Sequence, residues 1–490
     1  MRGSGILMPI FSLPSDYGIG TFGKNAYEFV DFLNKSGQIY WQILPLNPTN
    51  YGNSPYQSFS SFAGNPYFID LDMLIKDGLL KRTDVENVDF GNISSSIDYG
   101  KLYENREKIL RVAFDNFESN EDFEFFCKNN NYWLENYAYF MTLKNISGGL
   151  TQTELKRIYK TDNDYKTVKA EYNDIFKFYK FIQFTFYKQW FNLKKYANEK
   201  GIKIIGDIPI YVAPDSADVF ANSNLFMLDE NGNPTLVAGC PPDEFTKNGQ
   251  LWGNPIYNWD EMKVDGYKWW KERLKFSFTL YDIVRIDHFR GFESFYAIPF
   301  SEKTAENGSW IKGPDINFFK EIKSEFGENL PIIAEDLGFL TSEVENLLNY
   351  TGFPGMKILQ FGFEEGNRSK YLPHNFIKNC VAYTGTHDNN TILGWYKTLN
   401  RRQKYFTKKY LNTSDENSIN FDMIRAMLSS VADTVIINMA DLLSLDENAR
   451  LNTPSTLGNN WTFRVDKNYI TKDLTDKLYS MTDIYGRTVR

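Results

Sequence analysis

Short apolar runs alternate with amphipathic segments along most of the chain, a pattern typical of strands that take turns with helices. Eight of the apolar runs predict strands. In chain order they lie at 5–10, 39–46, 202–212, 284–292, 331–335, 356–361, 381–384 and 435–439. Eight strands separated by helices predict an α/β fold, a (β/α)8 TIM barrel.

One helix between these strands carries explicit start and stop signals. The spacing Ser342-x-x-Glu345 is a capping-box pattern and predicts that the helix begins at Ser342, while Gly352 predicts its end. Together with the strands at 331–335 and 356–361, this helix makes a complete βαβ unit.

The predicted strands are unevenly spaced, which indicates insertions. A plain (β/α)8 barrel needs about 250 residues, and the chain has 490. Helical patterns predict a mainly helical insertion over approximately 60–200, between strands two and three. A second insertion over approximately 213–280 contains a loop at 249–259 rich in Gly, Pro and Asn, with Trp252 beside the expected site. We therefore expect one catalytic domain over 1–490 with large insertions after strands two and three.

Charge and cysteine content narrow the class of protein. A net charge of −8 with no long basic run argues against nucleic acid and against an anionic membrane surface as partners. Cys127, Cys240 and Cys380 are odd in number and far apart, so they predict neither a disulfide framework nor a zinc site. No signal peptide or membrane span is evident in the sequence. We expect a cytoplasmic protein.

Four ionisable side chains interrupt the apolar run at 284–292, namely Arg285, Asp287, His288 and Arg290. Arg285 and Asp287 are two residues apart and project from the same face of a strand. A buried ion costs several kcal/mol of desolvation, so core stability explains this run poorly. The alternative is an ion pair that only fixes strand register, but departures from local rules concentrate at functional sites.

Polar groups also follow the ends of other predicted strands. Asp207 ends strand three, Glu335 ends strand five, and His387 and Asp388 follow strand seven. Catalytic groups of barrel enzymes come from the C-terminal ends of several strands, so we expect these side chains to converge with Asp287 on one pocket. A metal site at His387 and Asp388 lacks a third clear ligand, and no phosphate loop or nucleophile elbow is present. We expect neither metal nor cofactor.

Six stretches near the strand ends form an ordered motif set. They are Asn53-Ser-Pro-Tyr-Gln-Ser58, Gly206-Asp-Ile-Pro-Ile-Tyr-Val212, Gly249-Gln-Leu-Trp-Gly-Asn-Pro255, Val284-Arg-Ile-Asp-His-Phe-Arg-Gly-Phe292, Ala334-Glu-Asp-Leu-Gly338 and Thr386-His-Asp-Asn389. This set resembles that of the amylomaltases, the 4-α-glucanotransferases of glycoside hydrolase family 77, which are relatives of the α-amylases. The resemblance covers nearly the whole chain.

The resemblance implies roles for these residues. Asp287 would be the nucleophile, Glu335 the acid/base, and Asp388 the carboxylate that holds the 2- and 3-hydroxyls of the sugar. The implied substrate contacts are Tyr56, Asp207, Gln250, Trp252, Arg285 and His387. The family lacks a C-terminal β-domain, and we expect none here.

The implied reaction transfers a segment of an α-1,4-glucan to the 4-hydroxyl of an acceptor through a covalent glycosyl-enzyme. The expected partners are maltooligosaccharides and starch- or glycogen-derived α-1,4-glucans, acted on by a monomer or weak homodimer.

The chemistry of the residues agrees with this mechanism. A retaining glycosidase needs a nucleophilic carboxylate and a carboxylic acid about 5 to 5.5 Å apart, which neighbouring strands can supply. Arg285 would keep Asp287 ionised, while the negative charges of Asp287 and Asp388 would help keep Glu335 protonated.

Two other functions stay open at this point. An α-1,4-glucan hydrolase of the α-amylase type would use the same three acids and differ only in how it treats the acceptor. A catalytically inactive glucan-binding barrel is the other alternative, although it would have no need of a nucleophile and a proton donor together.

Overall fold

A computed structural model describes residues 2–50, 52–91, 94–242, 247–338, 340–364 and 366–488. Residues 92–93 of the first predicted insertion and 243–246 of the second lie outside the described residues. Among the described helices, none combines the length and apolar character that crossing a membrane requires.

The described strands belong to two sheets. In chain order they are Gly3–Leu7 (β1), Tyr40–Gln42 (β2), Lys203–Pro209 (β3), Leu236–Cys240 (β4), Gln250–Pro255 (β5), Ile283–Asp287 (β6), Ser294–Pro299 (β7), Ser309–Lys312 (β8), Ile332–Ala334 (β9), Gly355–Ile358 (β10), Cys380–Tyr383 (β11) and Thr434–Asn438 (β12).

The helices lie mainly between the strands of the larger sheet and in the long segment between β2 and β3. In chain order they are Lys24–Lys35 (α1), Leu71–Lys76 (α2), Tyr99–Asp115 (α3), Glu121–Asn129 (α4), Asn131–Ile146 (α5), Gln152–Ile158 (α6), Asp162–Glu171 (α7), Asn173–Glu199 (α8), Ala217–Ala221 (α9), Trp259–Val264 (α10), Lys268–Leu280 (α11), Asp315–Phe326 (α12), Ser342–Thr351 (α13), Leu359–Gly362 (α14), Ile392–Thr398 (α15), Arg401–Leu411 (α16), Ile419–Ser429 (α17), Met439–Leu442 (α18) and Lys472–Ile484 (α19).

The larger sheet is an eight-stranded parallel barrel in the order β10-β11-β12-β1-β2-β3-β6-β9. Its two end strands meet where the main-chain N–H of Ala334 donates to the carbonyl of Pro354, at 3.1 Å. Trp41, Ile286 and Ile436 are fully buried in it, as expected for parallel strands covered on both faces. The predicted (β/α)8 fold is confirmed.

Several local predictions differ from the structure. The strands predicted at 5–10, 39–46, 202–212 and 284–292 end earlier, at Leu7, Gln42, Pro209 and Asp287. The strand predicted at 356–361 ends at Ile358, and the chain continues into the short helix α14. Helix α13 is capped one residue earlier than predicted, because the Thr341 hydroxyl accepts from the main-chain N–H of Val344. The βαβ unit stays intact, and its second strand is shorter than predicted.

The segment between β2 and β3 is mostly helical, and α8 ties it to the barrel. Phe186 and Trp190 of α8 are fully buried and pack on Phe22, in the segment after β1. Gln183 exchanges two hydrogen bonds with the main chain of Gly64, and Gln189 does the same with Asp70. These side chains fix the loop that follows β2, which carries part of the site.

The smaller sheet is antiparallel, in the order β5-β4-β7-β8. Its strand β5 corrects the prediction that 249–259 is a loop, since Gln250–Pro255 pairs with β4. No strand was predicted at β4, β7 or β8. The boundaries of the two insertions remain predictions.

Candidate active site

Four of the predicted site residues, Asp207, Arg285, Asp287 and Glu335, lie at the C-terminal ends of three neighbouring barrel strands. Asp207 of β3 pairs in register with Arg285 of β6, and Pro209 pairs with Asp287 at the end of that strand. Residue 335 directly follows β9, whose Ala334 is in register with Ile286 of β6. Adjacent strands therefore present Asp287 and Glu335 at the same edge of the barrel.

Arg285 joins two carboxylates at the base of the site. Its Nη1 donates to both oxygens of Asp207, at 2.8 and 2.7 Å, and its Nη2 donates to Asp287 Oδ1 at 2.9 Å. Burial alone would lower the pKa of Arg285, yet the charges of Asp207 and Asp287 outweigh it and raise that pKa well above its ordinary value. The Asp287 carboxylate thus faces a cation in a fixed orientation and keeps 31% of its side chain exposed to the cleft.

Tyr56 connects the loop after β2 to this network. Its hydroxyl donates to Asp207 Oδ2 at 2.9 Å, and its ring stacks on the His387 imidazole with centroids 5.1 Å apart. The Asp207 side chain is fully buried beneath Arg285 and Tyr56. This geometry favours a role for Asp207 in orienting Arg285, whereas the sequence predicts a contact with sugar.

Asp388 is more open than Asp287, with 44% of its side chain exposed against 31%. Its Oδ1 accepts from Asn452 Nδ2 at 2.6 Å, and its Oδ2 lies 3.4 Å from His387 Nε2. Removal from bulk water would raise the pKa of Asp388, but the charge and hydrogen bond of His387 outweigh this and lower the pKa to about 2. The same pairing raises the pKa of His387 above its ordinary value, although burial opposes it. Asp388 is therefore a stable anion that faces the cleft.

Glu335 sits in a different electrostatic setting. Its Oε2 accepts from the main-chain N–H of His288 at 2.8 Å, and its Oε1 accepts from that of Leu337 at 2.7 Å. Burial first, and the negative charge of Asp287 second, raise the pKa of Glu335 to about 7. A carboxyl group that is half protonated near neutral pH thus stands near the Asp287 carboxylate.

His288 aims its N–H at Glu335 by adopting left-handed backbone angles, with φ 54° and ψ 49°. Such angles are uncommon outside glycine and persist only where the surroundings impose them. The His288 ring meets the edge of Trp252 with centroids 4.8 Å apart, and burial lowers the pKa of His288 to about 4. The imidazole is therefore neutral and packs against Trp252.

Gln250 and Trp252 of β5 lie together on the smaller sheet. The Trp252 indole N–H donates to Gln250 Oε1 at 3.1 Å, and both side chains are partly buried. Their strand is an edge strand, and Gly239 of β4 lies so close that a Cβ there would be 2.1 Å from the Gln250 carbonyl oxygen. The structure thus brings Trp252, with Gln250 bonded to it, against His288, whose main-chain N–H binds Glu335.

Three contacts of the site were not identified from the sequence. Asn452 binds Asp388, Arg450 donates to the carbonyl of Asp388 at 2.7 Å, and Trp461 lies 5.9 Å from the ring centroids of both Tyr56 and His387. All three follow β12, the eighth barrel strand, so the strand-end argument applied to that strand could have found them. Over the described residues, no group of three or more His, Cys, Asp or Glu side chains is arranged to hold a metal ion.

Comparisons with known proteins identify the family of the chain. The model of glycoside hydrolase family 77, described as 4-alpha-glucanotransferase, matches residues 8–470. The chain is 50% identical over 488 residues to a 4-alpha-glucanotransferase of Clostridium butyricum, covering 98% of this chain and 100% of the relative. It is 43% identical to that of Thermus thermophilus, over 95% of each chain. The solved amylomaltase from Streptococcus agalactiae in complex with acarbose superposes with a TM-score of 0.97, at 42% identity and with full coverage of both chains. The chain belongs to glycoside hydrolase family 77, the 4-alpha-glucanotransferases.

Proposed function

We propose that this protein transfers a segment of an α-1,4-glucan to the 4-hydroxyl of an acceptor glucose or glucan by a retaining double displacement. The observation that carries the proposal is a pair of carboxyl groups in different electrostatic surroundings, one at the end of β6 and the other directly after β9. Asp287 is held by the Arg285 cation, while the pKa of Glu335 is raised to about 7. A nucleophile and a proton donor on neighbouring strands are what a retaining glycosidase needs.

In the first step Glu335 gives its proton to the glycosidic oxygen as the bond from that oxygen to C1 breaks. An Asp287 oxygen attacks C1 from the opposite face and forms a covalent glycosyl-enzyme, and the cleaved chain leaves with a new hydroxyl. Arg285 keeps Asp287 anionic until the attack and holds the departing negative charge when the ester later breaks.

In the second step the ionised Glu335 takes the proton from the acceptor 4-hydroxyl, whose oxygen attacks C1 while Asp287 leaves. Two inversions at C1 retain the α configuration. Asp388 accepts hydrogen bonds from the 2- and 3-hydroxyls of the donor sugar, and such bonds strengthen in an oxocarbenium-like transition state. Asn452 and His387 orient that carboxylate.

Transfer also requires that a sugar hydroxyl outcompete water at the glycosyl-enzyme. We assign this task to Gln250 and Trp252, on an insertion over approximately 213–280 that covers the acceptor side. In this role Trp252 would present its aromatic face to a sugar ring, and the proposal is supported by its ring contact at 4.8 Å with His288, whose main-chain N–H binds Glu335. Tyr56, His387 and Arg285 complete the donor side.

Incubation with purified maltotriose tests this proposal. A transferase disproportionates maltotriose, so chromatography should show maltopentaose and glucose, or maltotetraose and maltose, early in the reaction. An α-amylase-type hydrolase would give only glucose and maltose, and an inactive glucan-binding barrel would leave maltotriose intact. The Glu335→Gln variant, purified in parallel, controls for contaminating enzymes and should give none of these products.

We further propose that the enzyme works in the cytoplasm on maltooligosaccharides and on starch- or glycogen-derived glucans, as a monomer or weak homodimer. Cys127 and Cys380 are free thiols, which suits a reducing compartment. Sedimentation at several concentrations tests the oligomeric state, and cell fractionation tests the location.

A further inference from the structure

A buried carboxyl group outside the proposed chemistry lies close behind the site. Asp441 belongs to the short helix α18 and its side chain is 1% exposed. Its carboxylate partners are an uncharged hydroxyl and a main-chain amide, so its negative charge is stabilised by hydrogen bonds alone. A carboxyl group buried in this way costs stability relative to an apolar residue of similar size, which argues that its position serves another purpose.

The two oxygens of Asp441 bind the two ends of one loop. Thr384, which follows β11, donates its hydroxyl to Oδ2 at 2.8 Å. Ile392, the first residue of α15, donates its main-chain N–H to Oδ1 at 2.6 Å. The loop between these two anchors is 385–391, and it carries both His387 and Asp388.

The loop itself is cross-linked by hydrogen bonds, so a displacement of its ends moves it as a unit. Asn389 Oδ1 accepts from both the main-chain N–H and the hydroxyl of Thr386, at 2.9 and 2.8 Å. The Thr386 hydroxyl in turn accepts from the N–H of Asp388 at 3.3 Å. The Asp388 backbone is thereby coupled to the loop that Asp441 holds.

Asp441 is also fixed from behind. Asn420 of α17 donates to the carbonyl of Asp441 at 2.8 Å, and Asn438 accepts from the N–H of Ala440 at 3.0 Å. Burial raises the pKa of Asp441 to about 7, while the hydrogen bonds from Ile392 and Thr384 oppose that rise. The carboxyl group is therefore a firmly seated acceptor, and its two accepted bonds hold its pKa below the value that burial alone would give.

We infer that Asp441 is a positioning residue of the active site, which holds both ends of the loop 385–391 and so sets where Asp388 meets the donor sugar. The inference rests on the proposed role of Asp388. It predicts that loss of either bond acts on the transition state more than on ground-state binding, because the hydroxyls of the donor are held most tightly as the oxocarbenium character develops.

Thr384 offers a matched pair of variants for the test. Thr384→Val keeps the shape of the side chain but removes the hydroxyl, and Thr384→Ser keeps the hydroxyl. With α-glucosyl fluoride as donor and maltose as acceptor, Thr384→Val should lower kcat by about 10- to 100-fold, the range for a lost hydrogen bond to a buried charged group, with KM nearly unchanged. Thr384→Ser should recover most of that loss. Asp441→Asn, which places an amide where one acceptor stood, should repeat the pattern of the valine variant.

A double-mutant cycle with Asp388→Asn separates positioning from general damage. If Asp441 acts through Asp388, Thr384→Val costs less than about threefold in the Asp388→Asn background, since coupled residues are not additive. A full 10- to 100-fold loss in that background, or a serine variant as slow as the valine variant, would overturn the inference while leaving the proposed function in place. If Asp388→Asn alone left kcat unchanged, the proposed role of Asp388 would fall, and the inference with it.

Discussion

The protonation state of Glu335 sets a testable pH dependence for donor cleavage. The pKa of this carboxyl group rises from an ordinary 4.5 to about 7, through burial and then the charge of Asp287. At pH 7 about half of the enzyme would therefore carry the proton, against about 0.3% for an unperturbed glutamate. The raised pKa keeps Glu335 mainly protonated below about pH 7. Above that pH, kcat/KM for maltotriose should fall about tenfold per pH unit, because the proton donor is lost.

The choice of donor identifies which group titrates. His387 also has a raised pKa, so its deprotonation could contribute to a loss of rate at high pH, whereas Asp388, with a pKa of about 2, stays ionised throughout. Fluoride leaves without a proton from Glu335, so kcat/KM for α-glucosyl fluoride should stay level where that for maltotriose falls. Equal falls for the two donors would refute the assignment of Glu335 as the acid.

Asp287→Asn tests directly whether the negative charge of Asp287 contributes to the raised pKa of Glu335. Removing the neighbouring charge should lower the pKa of Glu335 below that of the parent enzyme, while the part due to burial remains. Carbon-13 NMR of carboxyl-labelled glutamate reads this titration without any turnover. Glu343→Gln is the control, since Glu343 is exposed in the first turn of α13 and its loss should leave the Glu335 titration unchanged. An unchanged pKa in Asp287→Asn would mean that charge coupling across β6 and β9 is absent.

Extensive chelation should leave the transfer rate unchanged, because two carboxylates and a proton suffice for this chemistry, and a loss restored by Ca²⁺ or Zn²⁺ would contradict it. Trp252→Ala should reduce the rate of transfer more than the rate of hydrolysis, since its ring holds the acceptor and excludes water; equal falls in the two rates would contradict that role. Glu335→Gln given α-glucosyl fluoride should accumulate a glucosyl adduct, which intact-protein mass spectrometry and peptide mapping should place on Asp287, while Asp287→Asn should form none. Tyr56→Phe should lower kcat/KM by about tenfold, the scale of one hydrogen bond to a charged group, and an unchanged value would show that Asp207 holds Arg285 without it.

The barrel was predictable because its strands are buried on both faces. Runs such as Ile204 and Ile205 in β3, or Ile436 and Ile437 in β12, are apolar at consecutive positions and stand out from amphipathic helices. The acids were predictable because Asp287 and Glu335 end such runs with groups that a core would exclude. Strand ends were less certain, since Leu359 is as apolar as a strand residue but begins a helix.

The smaller sheet was missed because its strands carry weaker signals. Strand β5 contains Gly253 with φ 79° together with Asn254 and Pro255, residues that are depleted in strands. Strand β8 is largely exposed and lacks an apolar run. Pairing with β4 and β7, which no local pattern encodes, makes these segments strands. Asn452 was missed for a related reason, because its contact with Asp388 joins positions 64 residues apart.

The pairing of β1 with β12 has a consequence for how the chain acquires its fold. Five residue pairs join the strands, from Gly3 with Thr434 to Leu7 with Asn438. Their partners are separated by 431 residues (434 − 3), which take roughly 20 to 90 s to synthesise at 5–20 residues per second. During that time one edge of β1 has hydrogen-bonding groups without their final partner, an edge of the kind that recruits other chains. The barrel therefore closes only after β12 has been synthesised, and until then the unpaired edge of β1 is open to contact with other chains.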